Sequence, residues 1–170
     1  MSHENPLTFH FKDDGAVPNN ALPMLVYKSA IDLGADPEAA IERVFAANGW
    51  GHGQWRNGIF PFVHYHAMIH EVLGIARGRA SVRFGGDKGE TLELAPGDVA
   101  VLPAGTGHQR LSDGGGLMVI GAYPPDGTYN LCRGSKAERD KALQTIPLVP
   151  VPASDPVLGK DGPLPTLWRR

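Results

Sequence analysis

Four residues of this chain have the types and spacing to hold a metal ion. His64 and His66 lie two apart in the segment GIFPFVHYHAMIHEVLGIARG (residues 58–78), Glu71 follows five positions later, and His108 lies in GDVAVLPAGTGHQRLS (residues 97–112). On an extended strand residues i and i+2 project from one face, so His64 and His66 offer two imidazoles to a single point. Glu71 opens a second apolar run and, with Leu73 and Ile75, faces inward if that run is a regular strand. His108 follows the turn at Pro103 and Gly105, and a barrel interior brings such distant strands to a common axis. Three imidazoles and one carboxylate suit one divalent transition-metal ion, Fe, Mn, Zn, Ni or Co, with one or two coordination positions left for water, dioxygen or substrate. The alternative, four separate hydrogen-bonded side chains, leaves their spacing and the flanking turn glycines unexplained.

Two neighbours are candidate catalytic residues. Arg110 shares strand parity with His108 and can grip a carboxylate or other anion beside the metal, or else form a structural ion pair. Ser112 continues the same face. His70 sits in the connection before Glu71, where strand parity can fail, and is a candidate acid/base group or a replacement for His64 as ligand.

These residues need a scaffold of short strands. Period-two and apolar runs at 63–67, 71–77, 80–84, 91–94, 98–102, 108–111 and 117–123 are separated by Gly and Pro turns, with GGDKG at 85–89 as a hairpin tip. That pattern predicts an all-β antiparallel sandwich or small barrel. Ahead of it, Leu7, Phe9 and Phe11 alternate with polar residues, and MLVYKS from Met24 reads as a further peripheral strand. One supporting helix is predicted over 36–48, with Asp36 as N-cap, Pro37 in the first turn, Glu38 at the positive end of the dipole and Gly49 as stop. The segment NGWGHGQWRNG (48–58) reads as a loop whose tryptophans, Trp50 and Trp55, close a pocket or cap the open end of the core. A short helix from Ser135 is expected over 136–144, followed by a proline-rich extended arm at 145–170 that lies across a surface, its own or a neighbour's. The chain is therefore read as one domain over 1–170, with a core barrel at about 58–123, N-terminal strands and helix at 7–49, and the arm.

Composition excludes several functions. With 42% hydrophobic and 20% charged residues, 22 Gly and 15 Pro, the 170-residue chain has the make-up of a turn-rich globular protein. A formal charge of -2 supplies no basic field for a phosphate backbone, so no nucleic-acid partner is expected. No apolar run is long enough to span a bilayer, and MSHENPLTFHFKDD lacks the basic and apolar regions of an export signal. Cys132 is the only cysteine, which rules out an internal disulfide and makes a cytoplasmic setting the expectation.

The two metal-bearing segments resemble the two motifs of the cupin superfamily. The first, G-x5-H-x-H-x4-E-x6-G, is met at Gly58, His64, His66, Glu71 and Gly78, and the second, G-x5-P-x-G-x2-H-x3-N, at Gly97, Pro103, Gly105 and His108, with Ser112 in place of Asn. Ser112 is not at a ligand position of the motif, so the departure touches a neighbouring contact and not the metal. NGWGHGQWRNGIFPFVHYH, TGHQRL, GAYPPDG and DPVLGKDGPLPTLW extend the resemblance to the YjlB-like single-domain cupins of bacteria. The resemblance implies a double-stranded β-helix, a jelly-roll barrel with the metal inside, and a homodimer. It implies no particular reaction. A metal-dependent enzyme acting on a small polar or carboxylate-bearing molecule is expected, of dioxygenase, isomerase or decarboxylase type, the alternative being a non-catalytic module that binds or senses a small ligand through its metal.

Overall fold

A computed structural model describes residues 5–170. The expected strand runs become two antiparallel sheets. The larger contains β1 (Leu7–Phe9), β2 (Met24–Tyr27), β3 (His52–Asn57), β4 (Glu71–Arg77), β7 (Val99–Leu102) and β9 (Met118–Tyr123), in the order β1-β2-β7-β4-β9-β3. The smaller contains β5 (Ala80–Phe84), β6 (Glu90–Leu94) and β8 (His108–Asp113), in the order β6-β5-β8. From β4 onward the chain passes between the sheets: β4 in the larger, the β5–β6 hairpin in the smaller, β7 back, β8 across and β9 back. This is the winding of a jelly roll, a double-stranded β-helix.

The hydrophobic pattern of β4 explains why it is central. It is buried on both faces. Leu73 and Ile75 join Val82, Phe84, Leu94 and Val119 between the sheets, while Val72 and Ala76 turn outward onto Ile41 and Phe45 of the helix α1 (Pro37–Ala47). That helix starts where Asp36 accepts a hydrogen bond from the Ala39 amide at 3.2 Å, with Pro37 in its first turn. A second helix, α2 (Lys136–Thr145), opens with a complete capping box between Ser135 and Glu138. Among the described residues no helix is long and apolar enough to cross a membrane.

Four expectations need correction. β2 is not peripheral: it lies between β1 and β7, and all four of its residues are buried. The segment 48–58 is not a loop over most of its length, because 52–57 form β3, an edge strand whose backbone pairs with β9. The run 63–67 makes only two single bridges, His64 to His108 and Tyr65 to Cys132, since its backbone is shared between two different partners.

The C-terminal arm is not extended. It forms a 3-10 turn at Ile146–Leu148, a bridge between Asp155 and Gly159, and a short helix, α3 (Leu164–Leu167). It packs on the chain's own larger sheet. Leu164 and Trp168 are fully buried beside Trp50, and the Trp168 indole Nε1 donates to the Pro23 carbonyl at 2.8 Å. Asp155 is buried without penalty because its carboxylate accepts from the Val157, Leu158 and Leu164 amides and from the Tyr27 hydroxyl.

Candidate metal centre

His64, His66 and His108 come together in the barrel, each buried, with one ring nitrogen apiece lying within 4.8 Å of the others. The sequence dictates much of this locally. His64 and His108 exchange backbone hydrogen bonds of 3.1 and 2.9 Å, which sets their rings 3.9 Å apart between centroids. His108 leaves a turn that requires glycine: Gly105 has φ +92, and a Cβ there would lie 2.6 Å from the Asn19 carbonyl oxygen.

Backbone carbonyls choose the tautomer of all three rings. Nδ1 of His64 lies 3.0 Å from the Phe62 oxygen, that of His66 2.6 Å from the Asn130 oxygen, and that of His108 3.0 Å from the Thr106 oxygen. A carbonyl only accepts, so each Nδ1–H donates and each Nε2 keeps its lone pair. Asn130 is doubly engaged, since its side-chain Oδ1 also accepts from the Ala67 amide at 2.8 Å.

Glu71, the first residue of β4, brings a carboxylate to the same point. Its Oε1 lies 3.5 Å from His66 Nε2 and 3.4 Å from His108 Nε2, and is buried with no hydrogen-bond partner among the described residues. Its Oε2 accepts from the Tyr123 hydroxyl at 3.0 Å, and that hydroxyl accepts from Trp55 Nε1 at 2.9 Å. The register of β4 on β9, Val72 opposite Ala122, places Tyr123 beside Glu71. Trp55 reaches Tyr123 by lying over Gly121, where a Cβ would come within 2.0 Å of the indole.

Protonation follows from these contacts. Burial, helped by the neighbouring imidazoles of His108 and His66, pushes His64 down to about 3 and keeps it neutral. Burial also presses on His66, but the Glu71 carboxylate outweighs it and lifts that ring above its ordinary value. Glu71 feels burial in the opposite sense, yet attraction to the neighbouring His66 and His108 imidazoles holds it well below the usual carboxylate range. Burial and the charge on Glu71 raise the Tyr123 phenol, which therefore stays a donor. Neutral His64 and anionic Glu71 are the forms a cation requires.

The remaining candidates fall in different places. Arg110 lines the cavity above the histidines, but its Nε donates to the Ile59 carbonyl at 3.0 Å and its Nη1 lies 3.2 Å from Asp113 Oδ2. Ser112 does not share that face: the β5–β8 ladder pairs Val82 with Arg110 and Ser81 with Ser112, so Leu111 is an extra residue and the bulge reverses parity. His70 is corrected outright as ligand or acid/base group. It is fully buried behind β4 on the arm side, its Nδ1 accepting from the Ala104 amide at 2.8 Å, its Nε2 donating to the Pro150 carbonyl at 3.1 Å, and its ring 4.8 Å from that of Trp168. Sequence reasoning missed Tyr123 and Asn130. Tyr123 was visible only as the last residue of a strand, and Asn130 sits in a segment with no pattern.

The four donors lie at the wall of a cavity of about 930 Å³, at the upper end of what small-molecule sites enclose. An antiparallel jelly roll with three histidines, one of them on β8, and a strand-end carboxylate gathered inside it has the architecture of a cupin. No described family model matches the chain. It is 39% identical over 163 residues, 95% of each chain, to the Bacillus subtilis (strain 168) protein described as the uncharacterized protein YjlB, and it belongs to the YjlB family. Solved structures give weaker likenesses. Oxalate decarboxylase of Bacillus subtilis shares 15% identity at a TM-score of 0.36, over 69% of this chain and 29% of that one. A DUF861 family protein of Thermotoga maritima shares 18% at a TM-score of 0.34, over 55% of this chain and 96% of that one. The 11S allergen of Cocos nucifera shares 14% at a TM-score of 0.37, over 80% and 39%. At this level the reaction has to be read from the site itself.

Proposed function

We propose that this protein is a metal-dependent enzyme in which His64, His66, Glu71 and His108 hold one divalent transition-metal ion and a small molecule enters the cavity beside it. The observation that carries the reading is Glu71 Oε1. A buried carboxylate oxygen without a donor, facing two imidazole Nε2 atoms at 3.4 and 3.5 Å, is costly unless a cation lies among them. Those distances exceed the 2.7–3.2 Å of a good N–H···O bond, so protonating a histidine repairs the contact poorly. The donor set fits the ion: three nitrogen lone pairs and one anionic oxygen suit Fe, Mn, Co, Ni or Zn alike.

When bound, such an ion supplies Lewis-acid polarisation or a dioxygen-binding centre, the common ground of dioxygenase, isomerase and decarboxylase chemistry. The chain's own contribution is to fix the donors. Three carbonyls hold the rings and Tyr123 holds Glu71. A binding role without turnover is the second reading. It is favoured by the nature of the proton-bearing groups beside the donors, the phenols Tyr123 and Tyr129, both of which burial and the Glu71 charge raise above their ordinary value.

Elemental analysis of purified wild type beside His66→Ala and His108→Ala tests the centre. Near-stoichiometric metal in the wild type, lost in both variants, is expected. A wild type that carries no metal and takes up none on reconstitution overturns the proposal. Consumption of a bound small molecule then separates enzyme from binder.

A further inference from the structure

The wall of the cavity is suited to a different kind of ligand from a compact polyanion. Two large aromatic rings stand exposed beside the donors: Phe60 is 42% accessible and Tyr129 52%. Neither ring is loose. Phe60 stacks on Phe62 at 4.8 Å between centroids and meets His64 edge-on at 5.2 Å, while Tyr129 lies 5.0 Å from His66 and 6.0 Å from Tyr123. Exposed apolar rings held beside a polar centre offer faces on which another ring stacks. Trp55, Ile69, Leu73 and Leu117 continue the apolar lining.

The charges on the wall are already matched. Arg56 makes a bidentate pair with Glu42 at 2.9 and 2.7 Å, and Arg110 is paired with Asp113 at 3.2 Å. Among the described residues, no lining position is a lysine. A small dianion would find no unpaired cation on the wall and would leave most of the 930 Å³ to water.

We infer that the ligand of this site has a planar apolar body, aromatic or conjugated, that stacks against Phe60 and Tyr129, and one oxygen-bearing end directed to the four donors. The oxygen-bearing end rests on the metal reading above, whereas the apolar body rests on the wall alone.

Calorimetric titration of the zinc-reconstituted full chain with acetohydroxamate and benzohydroxamate tests this, because the two share a head group and differ by the ring. Benzohydroxamate is expected to bind at least about tenfold more tightly, and the Phe60→Ala/Tyr129→Ala double variant, altered only at exposed positions, to lose that advantage. Equal affinity of the two hydroxamates, or an advantage that the double variant retains, overturns the inference. If neither hydroxamate binds, the chelator-stripped protein is titrated with 2-naphthol. Binding that the double variant loses upholds the apolar body while the oxygen-bearing end directed to the donors fails. Absence of binding overturns both halves of the inference, the metal itself being tested separately by the elemental analysis.

Discussion

Replacing Tyr123 by Phe removes the hydroxyl that links Trp55 to Glu71 at the candidate centre. The substitution keeps the ring in place on β9 and removes only the hydroxyl that donates to Glu71 Oε2 at 3.0 Å. Two effects oppose each other. Without its donor the carboxylate becomes a stronger base, which favours a cation, but it also loses the contact that aims Oε1 at His66 and His108. A hydrogen bond to a charged, buried acceptor is worth about 1.5–3 kcal/mol, and outer partners of metal ligands affect affinity by about 10–100-fold. Orientation outweighs basicity here because Glu71 is fully enclosed and has no alternative donor among the described residues to steady it. Competition with a chromophoric chelator should therefore show Tyr123→Phe binding zinc about 10–100-fold more weakly than wild type. Trp55→Phe, which removes the donor to the Tyr123 oxygen along with part of the indole over Gly121 but leaves the Tyr123–Glu71 bond, should show a smaller loss. Unchanged or tighter zinc binding by Tyr123→Phe would refute the reasoning.

Two further outcomes are expected, both outside the centre. Burial lowers His70 from 6.5 to about 4, so between those values the unfolded chain binds a proton that the folded chain does not; stability then rises with pH across that window and is complete above it. Chemical denaturation of chelator-stripped protein from pH 4 to 7 should show His70→Gln losing this dependence, worth about 3 kcal/mol at full extent, and parallel curves for the two proteins would exclude it. Trp168→Ala empties a fully buried site between Trp50 and His70 and removes the bond to the Pro23 carbonyl. It should cost about 3–5 kcal/mol, and an unaltered urea midpoint would show that the arm does not dock in solution.

The fold was legible wherever side-chain period and turn chemistry agreed. Asp36 and Pro37 marked the helix start, GGDKG the β5–β6 tip, and the apolar runs β4, β5, β7 and β9. β3 was opaque because HGQWRN has no apolar alternation, its place being set by backbone pairing with β9 and by the single indole of Trp55. The arm misled through its prolines, which suggested extension, while its anchors are two widely separated features, the Asp155 carboxylate and the Trp168 ring. At the site, the gathering of His64, His66 and His108 followed from parity and spacing. The fate of Arg110, Ser112 and His70 did not, because it turns on a one-residue bulge at Leu111, an ion pair with Asp113 and a carbonyl supplied by Pro150, none of which has a local signature.

The placement of the three indoles also gives the molecule an optical gauge. Trp50 and Trp168 are packed together, 6.4 Å between ring centroids, in the cluster outside the larger sheet. Trp55 alone lines the cavity, one hydroxyl away from Glu71. A change of charge at the carboxylate therefore reaches one emitter directly and leaves two as a steady background. Intrinsic fluorescence then follows occupancy of the site without a label, and Trp55→Phe is the blank against which that signal is read.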